Sequence, residues 1–442
     1  MLTKSIVSAS LLGLAASFIS AMTFAGLPIQ HWQTDRGTRV LFVENHDLPL
    51  LDVSVSFDAG SRRDVADKAG LAGLTAHLLP LGAGGRKEDE IARRLADVGA
   101  LLEPTSDQDQ SGLVLRTLSS AREREQALEL MSSALQQPDF SAEVLAREKA
   151  RIIAGLKEEA TQPGAIAAKA FQASLYGSHP YGQPGTGKIE TVDALQRQDL
   201  VNFYQRHYHA NLAVIALVGD VSRAEAAAIA DRLSAQLPAG DGALPALPEV
   251  SPLAKPESQT LPHPATQSHI LMGAPGMSRK DADYFSLMVG NYILGGGGFA
   301  SRLTEEVREK RGLAYSVYSY FIPLAQPGAF QIGLQTRRDQ ANEALNVTRT
   351  TLRGFVTEGP TQEELRRAKQ NLIGSFPLRL DSNKKILGYL SMIAFYQLPL
   401  DYLDRFIENI DRVTLTDVKS AFRRRVDPDN MVTVVVGGEA KK

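Results

Sequence analysis

Two stretches of this 442-residue sequence repeat one pattern at a constant distance. The first reads DALQRQDLVNFYQRHYHANLAVIALVGDV and the second reads DRVTLTDVKSAFRRRVDPDNMVTVVVGGE, so that Asp193 and Asp199 match Asp411 and Asp417. In each copy an Asp or Thr can cap a helix, and an Asn-containing turn then leads to an apolar strand. Agreement in order, spacing and residue type indicates an internal duplication, and the chain should fold as two related halves.

A proline-rich stretch separates the two copies. Seven of the 22 prolines fall between Pro238 and Pro264. Because proline removes a backbone donor and resists helix formation, this stretch predicts a linker or an extended crossover. The expected division of the chain is a leader at 1–25, an N-terminal half at 26–237, the linker at 238–264 and a C-terminal half at 265–442.

The N-terminus has the pattern of a secretory leader. Lys4 precedes the apolar run IVSASLLGLAASFISAM, and small residues offer a cleavage site after Ala25. A membrane anchor is the alternative, but the run is short and lacks a basic stop-transfer flank. We therefore expect a periplasmic protein that is free of the membrane once the leader has been removed.

Composition narrows the classes of function. The sequence contains no cysteine, which excludes disulfides and thiolate metal sites. Its formal net charge of -2 gives no reason to expect a nucleic-acid partner. Both halves mix period-two segments such as LLDVSVSFDAG with helical spacing such as KEDEIARRLADVGALL, which predicts an α+β architecture repeated twice.

The stretch DAGSRRDVADKAGLAGLTAHLLPLGAGG, at 58–85, resembles the zinc-binding region of the M16 (pitrilysin or insulinase-like) metallopeptidases, which include the mitochondrial processing peptidase. In that family a helix carries His-x-x-Glu-His: the two imidazoles bind zinc and the glutamate activates the bound water. The resemblance puts Gly73 at the first histidine, Ala76 at the glutamate and His77 at the second histidine. It puts Gly155 at the third ligand, a glutamate on a later helix.

One imidazole without a paired ligand cannot hold catalytic zinc, so we expect this chain to bind no metal. His77 is then interpreted as a satisfied core or cleft histidine. Glu158 and Glu159 leave one alternative, an active enzyme that combines His77 with either glutamate and an unusual metal. The loop GSHPYGQPGTG, at 177–187, also resembles the family, and its proline and glycines predict a fixed turn.

In the second half, LGGGGFASRLTEEVREKRGLAYSVYS resembles the signature of the C-terminal half of M16 proteins. The resemblance implies that Arg308 and Tyr315 reach a zinc site held by another half. A guanidinium or a phenol can donate hydrogen bonds to a scissile carbonyl as it becomes an oxyanion. The glycine run lacks the Lys-Ser ending of a phosphate loop. We expect it instead to form a flexible bend that a substrate backbone approaches, at Gly295, Gly296, Gly297 and Gly298.

The resemblance implies two homologous M16-type halves, each a mixed and mainly antiparallel sheet with packed helices, facing one another like a clamshell. It implies the non-catalytic, substrate-binding subunit of a heteromeric zinc peptidase. The expected partners are peptide substrates and a sister subunit that carries His-x-x-Glu-His and the zinc. The alternative is a catalytically dead scaffold or a peptide-binding assembly protein.

Overall fold

The computed structural model describes residues 27–238, 240 and 244–437, and the predicted leader at 1–25 lies outside these ranges. The strands of the N-terminal half are β1 (Gln30–Gln33), β2 (Arg39–Glu44), β3 (Leu50–Phe57), β4 (Gly82–Ala83), β5 (Arg86–Lys87), β6 (Leu101–Ser106), β7 (Ser111–Leu118) and β8 (Val214–Gly219). Its helices are α1 (Leu71–Leu78), α2 (Glu88–Asp97), α3 (Ala121–Gln136), α4 (Ala142–Glu159), α5 (Pro163–Tyr176), α6 (Ile189–Ala194), α7 (Arg197–His207) and α8 (Arg223–Ser234).

The C-terminal half contains the strands β9 (Glu257–Leu261), β10 (Gln267–Pro275), β11 (Ser316–Phe321), β12 (Ala329–Arg337) and β13 (Val432–Val436). Its helices are α9 (Tyr284–Asn291), α10 (Ala341–Glu358), α11 (Gln362–Gly374), α12 (Asn383–Phe395), α13 (Phe406–Arg412) and α14 (Leu415–Arg425). Two π-helical segments, Tyr292–Gly296 and Thr304–Glu309, follow α9. None of the helices in the described ranges combines the length and the apolarity needed to cross a membrane.

The two main sheets share one topology. Within the described residues their strand orders are β1-β2-β8-β3-β7-β6 and β9-β13-β10-β12-β11. In each sheet the last strand of the half pairs in parallel with an early strand, β8 with β2 and β13 with β9, and antiparallel with the next, β3 or β10. The duplication expected from the sequence is therefore present in the fold, and the chain is α+β.

The repeated helix and strand adopt equivalent positions. The hydroxyl of Thr414 accepts the amide hydrogen of Asp417 at 3.2 Å, and the Asp417 carboxylate accepts that of Thr414 at 2.8 Å, which caps α14. In the first copy Asp199 accepts the amide hydrogen of Gln196 at 3.0 Å in the first turn of α7. Both helices thus begin beside the predicted residues, and β8 and β13 follow them as the predicted apolar strands.

Each sheet is covered on one face by a helix from the other half. Side chains alternate along a strand, so β8 sends Ile215 and Leu217 into the core of its own half. Val214, Ala216 and Val218 belong instead to the core of the C-terminal half, where α12 packs against β8, β3 and β2. With both faces covered, every residue of β8 is buried.

The exchange is reciprocal. Helix α5 of the first half packs against β10 and β13 of the second. Its Phe171 and Leu175 join a buried cluster with Val432, Val434 and Val436. The two halves therefore share their cores, rather than merely facing each other.

A buried carboxylate joins the halves a second time. Asp109 is fully buried and accepts hydrogen bonds from Arg62 Nη1 at 2.6 Å and the Tyr181 hydroxyl at 2.6 Å, both in its own half. From the C-terminal half it accepts the Tyr396 hydroxyl at 2.7 Å and the Ala325 amide at 2.8 Å. Four donors satisfy this one carboxylate, so Asp109 is a fully paired polar contact between the halves.

The proline-rich stretch is only partly a connection. Residues 244–253 have no regular structure, but Glu257–Leu261 forms β9, an edge strand of the C-terminal sheet. Residues assigned to the linker at 238–264 thus contribute to the second fold. Proline is frequent in this stretch because an edge strand and a crossover both tolerate its missing donor.

Candidate functional site

The helix that corresponds to the zinc helix is intact. Gly70 precedes α1 with a φ of +97°, a left-handed conformation that favours glycine. The buried carboxyl of Asp64 accepts the amide hydrogens of Gly70 and Ala72, each at 2.8 Å, and caps the helix. Burial raises the pKa of Asp64 to about 7, against the opposing effect of these hydrogen bonds. Buried contacts and a carboxyl cap therefore hold this helix in position.

The positions of the lost ligands differ in their surroundings. Gly73 lines a cavity of about 480 Å³, where Ser106, Gly185 and Ile152 are also found. A Cβ at Gly73 would meet only ordinary contacts, 3.4 Å from the Gly185 carbonyl oxygen. Ala76 is fully buried. A Cβ is thus accommodated at Gly73, at the edge of this cavity.

His77 has a partner within the chain. Its Nε2 lies 2.9 Å from Oε2 of Glu148 on α4, and Glu148 also accepts Arg147 Nε at 2.8 Å. Burial favours a higher pKa for Glu148, but the hydrogen bonds and charges of His77 and Arg147 outweigh it and hold the pKa below its usual value. His77 is therefore partly exposed and paired with a carboxylate of α4.

Sequence reasoning passed over Glu148. The residue lies in the same stretch, REKARIIAGLKEEA, from which Gly155 was taken as the lost ligand, and a carboxylate two turns earlier on α4 was the available signal. Gly155 is exposed and has nothing within 4 Å of an added Cβ. Glu159 pairs with Lys169 at 2.8 Å instead of with His77. Across the described ranges, no group of three or more His, Cys, Asp or Glu is placed to hold a metal ion.

The glycine run packs mostly against its own chain. A Cβ at Gly295 would lie 2.4 Å from Ser319 Oγ, and one at Gly297 would lie 2.6 Å from the carbonyl oxygen of Tyr292. Gly296 is similarly closed, by Asn291 at 2.8 Å. Only Gly298, with a φ of +59° and nothing within 4 Å, is open. Gly295 is buried, Gly297 is half-buried, and Gly296 and Gly298 are exposed, so the approach of a substrate backbone to this run stays a prediction.

Arg308 and Tyr315 lie together at the surface. The guanidinium carbon of Arg308, on the segment Thr304–Glu309, is 5.2 Å from the centroid of the Tyr315 ring and 4.8 Å from that of Phe299. These distances are typical of cation–π contacts. Tyr315 is 82% exposed and Phe299 is 75% exposed. The structure thus brings the two predicted residues into one exposed group and adds Phe299, an aromatic between the glycine run and SRL that sequence reasoning passed over.

The guanidinium of Arg308 contacts two aromatic rings, whereas its N–H donors have few partners. Its one ion pair within the described residues is Nε to Glu309 Oε1 at 3.4 Å, between half-exposed groups. Side-chain hydrogen bonds from its other two nitrogens to described residues are absent. The fork of the guanidinium therefore keeps donors free for an oxyanion or a peptide carbonyl. Tyr315 immediately precedes β11, which is an edge strand of its sheet.

Comparison with known proteins covers both halves. Residues 39–187 match the family model "Insulinase (Peptidase family M16)", and residues 194–372 match "Peptidase M16 inactive domain". The crystal structure of a peptidase M16 inactive domain from Pseudomonas fluorescens is 38% identical, with a TM-score of 0.90 over 94% of this chain and 98% of that chain.

Curated relatives of similar length point the same way. An uncharacterized zinc protease of Streptomyces coelicolor is 27% identical over 82% of this chain and 80% of the relative. The non-peptidase homolog YmxG of Helicobacter pylori is 25% identical over 91% of this chain and 92% of the relative. Together with the fold, these matches define an inactive-type homologue of the two-half metallopeptidases. The chain belongs to peptidase family M16.

Proposed function

We propose that this chain is the non-catalytic, substrate-binding subunit of a heteromeric M16 zinc peptidase in the periplasm. Its Arg308 and Tyr315 would act in trans on peptides held at the active site of a sister subunit, which carries His-x-x-Glu-His and the zinc. The chain itself holds no cofactor in this proposal.

The single observation that carries the proposal is the contrast between His77 and the Arg308 group. The one remaining residue of the zinc motif is paired with Glu148, whereas the half-buried Arg308 keeps guanidinium donors unpaired among the described residues and Tyr315 is exposed. A guanidinium fixed between two rings loses little conformational freedom when it meets a developing negative charge. Such a group suits a reaction centre on another molecule.

Peptide binding would use the edge of a sheet. Edge strands present unpaired amide and carbonyl groups, to which an extended peptide can add as a further strand. Strand β11 begins at Ser316, directly after Tyr315. One edge of this strand is hydrogen-bonded to β12, and a peptide could add at the other edge. A peptide added to β11 would therefore pass beside the phenol and the guanidinium.

The test is peptide cleavage by the reconstituted pair. With the zinc-bearing sister subunit, Arg308→Ala should lower kcat by about 10²–10³-fold, as the removal of one oxyanion donor does in other enzymes. Arg311→Ala is the matched control, because the Arg311 side chain is exposed and bonds only to Glu306 within the described residues, and it should leave the rate near that of wild type. Equal rates for the wild type and Arg308→Ala would reject the role in trans.

A catalytically dead scaffold is the second candidate. The seam at Asp109 and the exchanged helices make the two halves one body, which is what an assembly protein requires. Purification of the native protein with its partner separates the two candidates. A partner with His-x-x-Glu-His favours the peptidase subunit, and a partner without that motif favours the scaffold.

A further inference from the structure

A cavity of about 330 Å³ lies where the two halves meet, and neither the residues of α1 nor Arg308 and Tyr315 are among those that line it. It is lined by the end of α12 and by residues of β2, β8 and the loop that follows β10. Its charged residues are four cations and one carboxylate: Arg39, Arg62, Arg279, Lys280 and Asp58. Because burying an unpaired charge costs free energy, each of these cations is expected to have a compensating partner.

Arg62 is neutralised within the chain. Its Nη2 donates to Asp58 Oδ1 at 2.9 Å and its Nη1 to Asp109 Oδ1 at 2.6 Å. Arg63 shares Asp58, donating to Oδ2 at 2.6 Å. Two guanidinium groups and two carboxylates therefore cancel, and the carboxylate in the wall of the cavity is fully engaged.

Arg39 is partly compensated by the end of a helix. Its Nη1 donates to the carbonyl oxygen of Ala394 at 2.9 Å, in the last turn of α12. A helix C-terminus carries roughly half a negative charge, so it offsets one cation in part. Burial lowers the pKa of Arg39, which is consistent with the absence of a carboxylate beside it among the described residues.

Arg279 and Lys280 have no such compensation. The Nε of Arg279 is buried and makes no hydrogen bond with any described residue, although its guanidinium carbon lies 5.3 Å from the Tyr396 ring centroid. Neither residue forms an ion pair within the described ranges. Gln397, at the rim, adopts a φ of +50°, a strained conformation for a residue other than glycine. A buried donor left unpaired costs free energy, and strained residues cluster at sites that bind ligands.

We propose that this cavity binds a small oxyanion, a carboxylate or a phosphate carried by a compact molecule, between Arg279 and Lys280 of the C-terminal half and Arg39 of the N-terminal half. The planar fork of a guanidinium matches either oxyanion, and the ammonium of Lys280 adds a flexible point charge at the rim. The volume suits a ligand of the size of phosphate or citrate. Because residues of both halves line the cavity, the bound anion would fasten the halves together.

The experiment uses the isolated mature chain, so it is independent of the proposed peptidase complex. Inorganic phosphate and citrate are titrated in a calorimeter, and the midpoint of thermal unfolding is followed at one ionic strength set with sodium chloride. At least one of the two probes should bind with a stoichiometry of one and raise the midpoint, since a ligand that binds only the folded state stabilises it. The probe that binds more tightly identifies whether a phosphate or a carboxylate is preferred.

The double variant Arg279→Gln with Lys280→Gln should weaken that binding by about tenfold or more, because charge-assisted hydrogen bonds are lost. The matched control is Arg338→Gln with Lys384→Gln, which removes the same charge from exposed positions elsewhere. Its affinity should stay within about twofold of wild type at this ionic strength. The proposal is overturned if neither probe binds the wild-type chain, or if both double variants lose affinity equally.

Discussion

The two halves of this protein have one topology but differ in whether their candidate functional side chains are paired within the chain. In the first half, His77 at the zinc helix is bonded to Glu148, and the neighbouring ligand positions are Gly73 and Gly155. In the second half, Tyr315 is exposed and the half-buried Arg308 keeps guanidinium donors without partners among the described residues. The difference teaches that the helix of a degenerate metal site can stay in place when a buried cap and core hold it, while residues of the other half keep donors without partners in the described chain.

The largest expected effect concerns Asp109, the buried carboxylate that joins the two halves. Asp109→Ala leaves Arg62 short of one carboxylate and removes the acceptor of two buried tyrosine hydroxyls, so the free energy of unfolding should fall by about 3–5 kcal/mol. Urea denaturation at pH 7 measures it. Asp97→Ala is the control, because the Arg93–Asp97 pair is exposed and should contribute at most about 0.5 kcal/mol. A loss below about 1 kcal/mol would show that the exchanged helices alone hold the halves together.

The second prediction concerns a variant of the first half in which two of the missing zinc ligands are restored. Gly73→His with Gly155→Glu adds side chains at two positions where a Cβ meets no clash, in the chain that already carries His77. The variant should bind zinc at least about a hundredfold more tightly than wild type, because an imidazole pair and a carboxylate replace a single imidazole. Calorimetric zinc titration measures this, with Gly73→Ala and Gly155→Ala together as the control. No gain in zinc affinity would mean that the helices have shifted as well as lost their ligands.

A third prediction uses the pH dependence of stability to test whether the contact between His77 and Glu148 stabilises the fold. The pKa of Glu148 is lowered in the folded state, so its contribution is complete above the ordinary glutamate pKa of about 4.3 and is lost as pH falls through the lower folded value. Glu148→Gln should therefore cost about 1 kcal/mol at pH 7, and this difference should shrink below pH ~4. Denaturant titrations across pH 7 to 3.5 give the curve. Glu88→Gln, which removes the exposed partner of Arg147, should change stability by less than about 0.5 kcal/mol.

The sequence predicts the parts of this molecule that depend on local pattern. The match of Asp199 with Asp417 was enough to anticipate two helices, two buried strands and the duplication. The exchange of α5 and α12 could not be predicted, because an apolar helix face does not encode which of two similar sheets it covers. The pairing of His77 with Glu148 and of Arg308 with Phe299 joins residues whose distance depends on tertiary packing.

The last prediction compares a glycine of each half directly, and its smaller effect is expected at Gly155. Gly155 lies in the exposed interior of α4 with open space around an added Cβ, so Gly155→Ala should raise the free energy of unfolding by about 0.5–1 kcal/mol. Gly295→Ala should instead destabilise by about 1–3 kcal/mol, since its Cβ would lie 2.4 Å from Ser319 Oγ and 2.6 Å from the Ser319 amide nitrogen. Urea titration of both variants measures the signs. Opposite signs would mean that Gly155, at the position of the third zinc ligand, is not required by packing. Gly295, in contrast, would be a position where packing requires glycine. Equal signs would remove that distinction between Gly155 and Gly295.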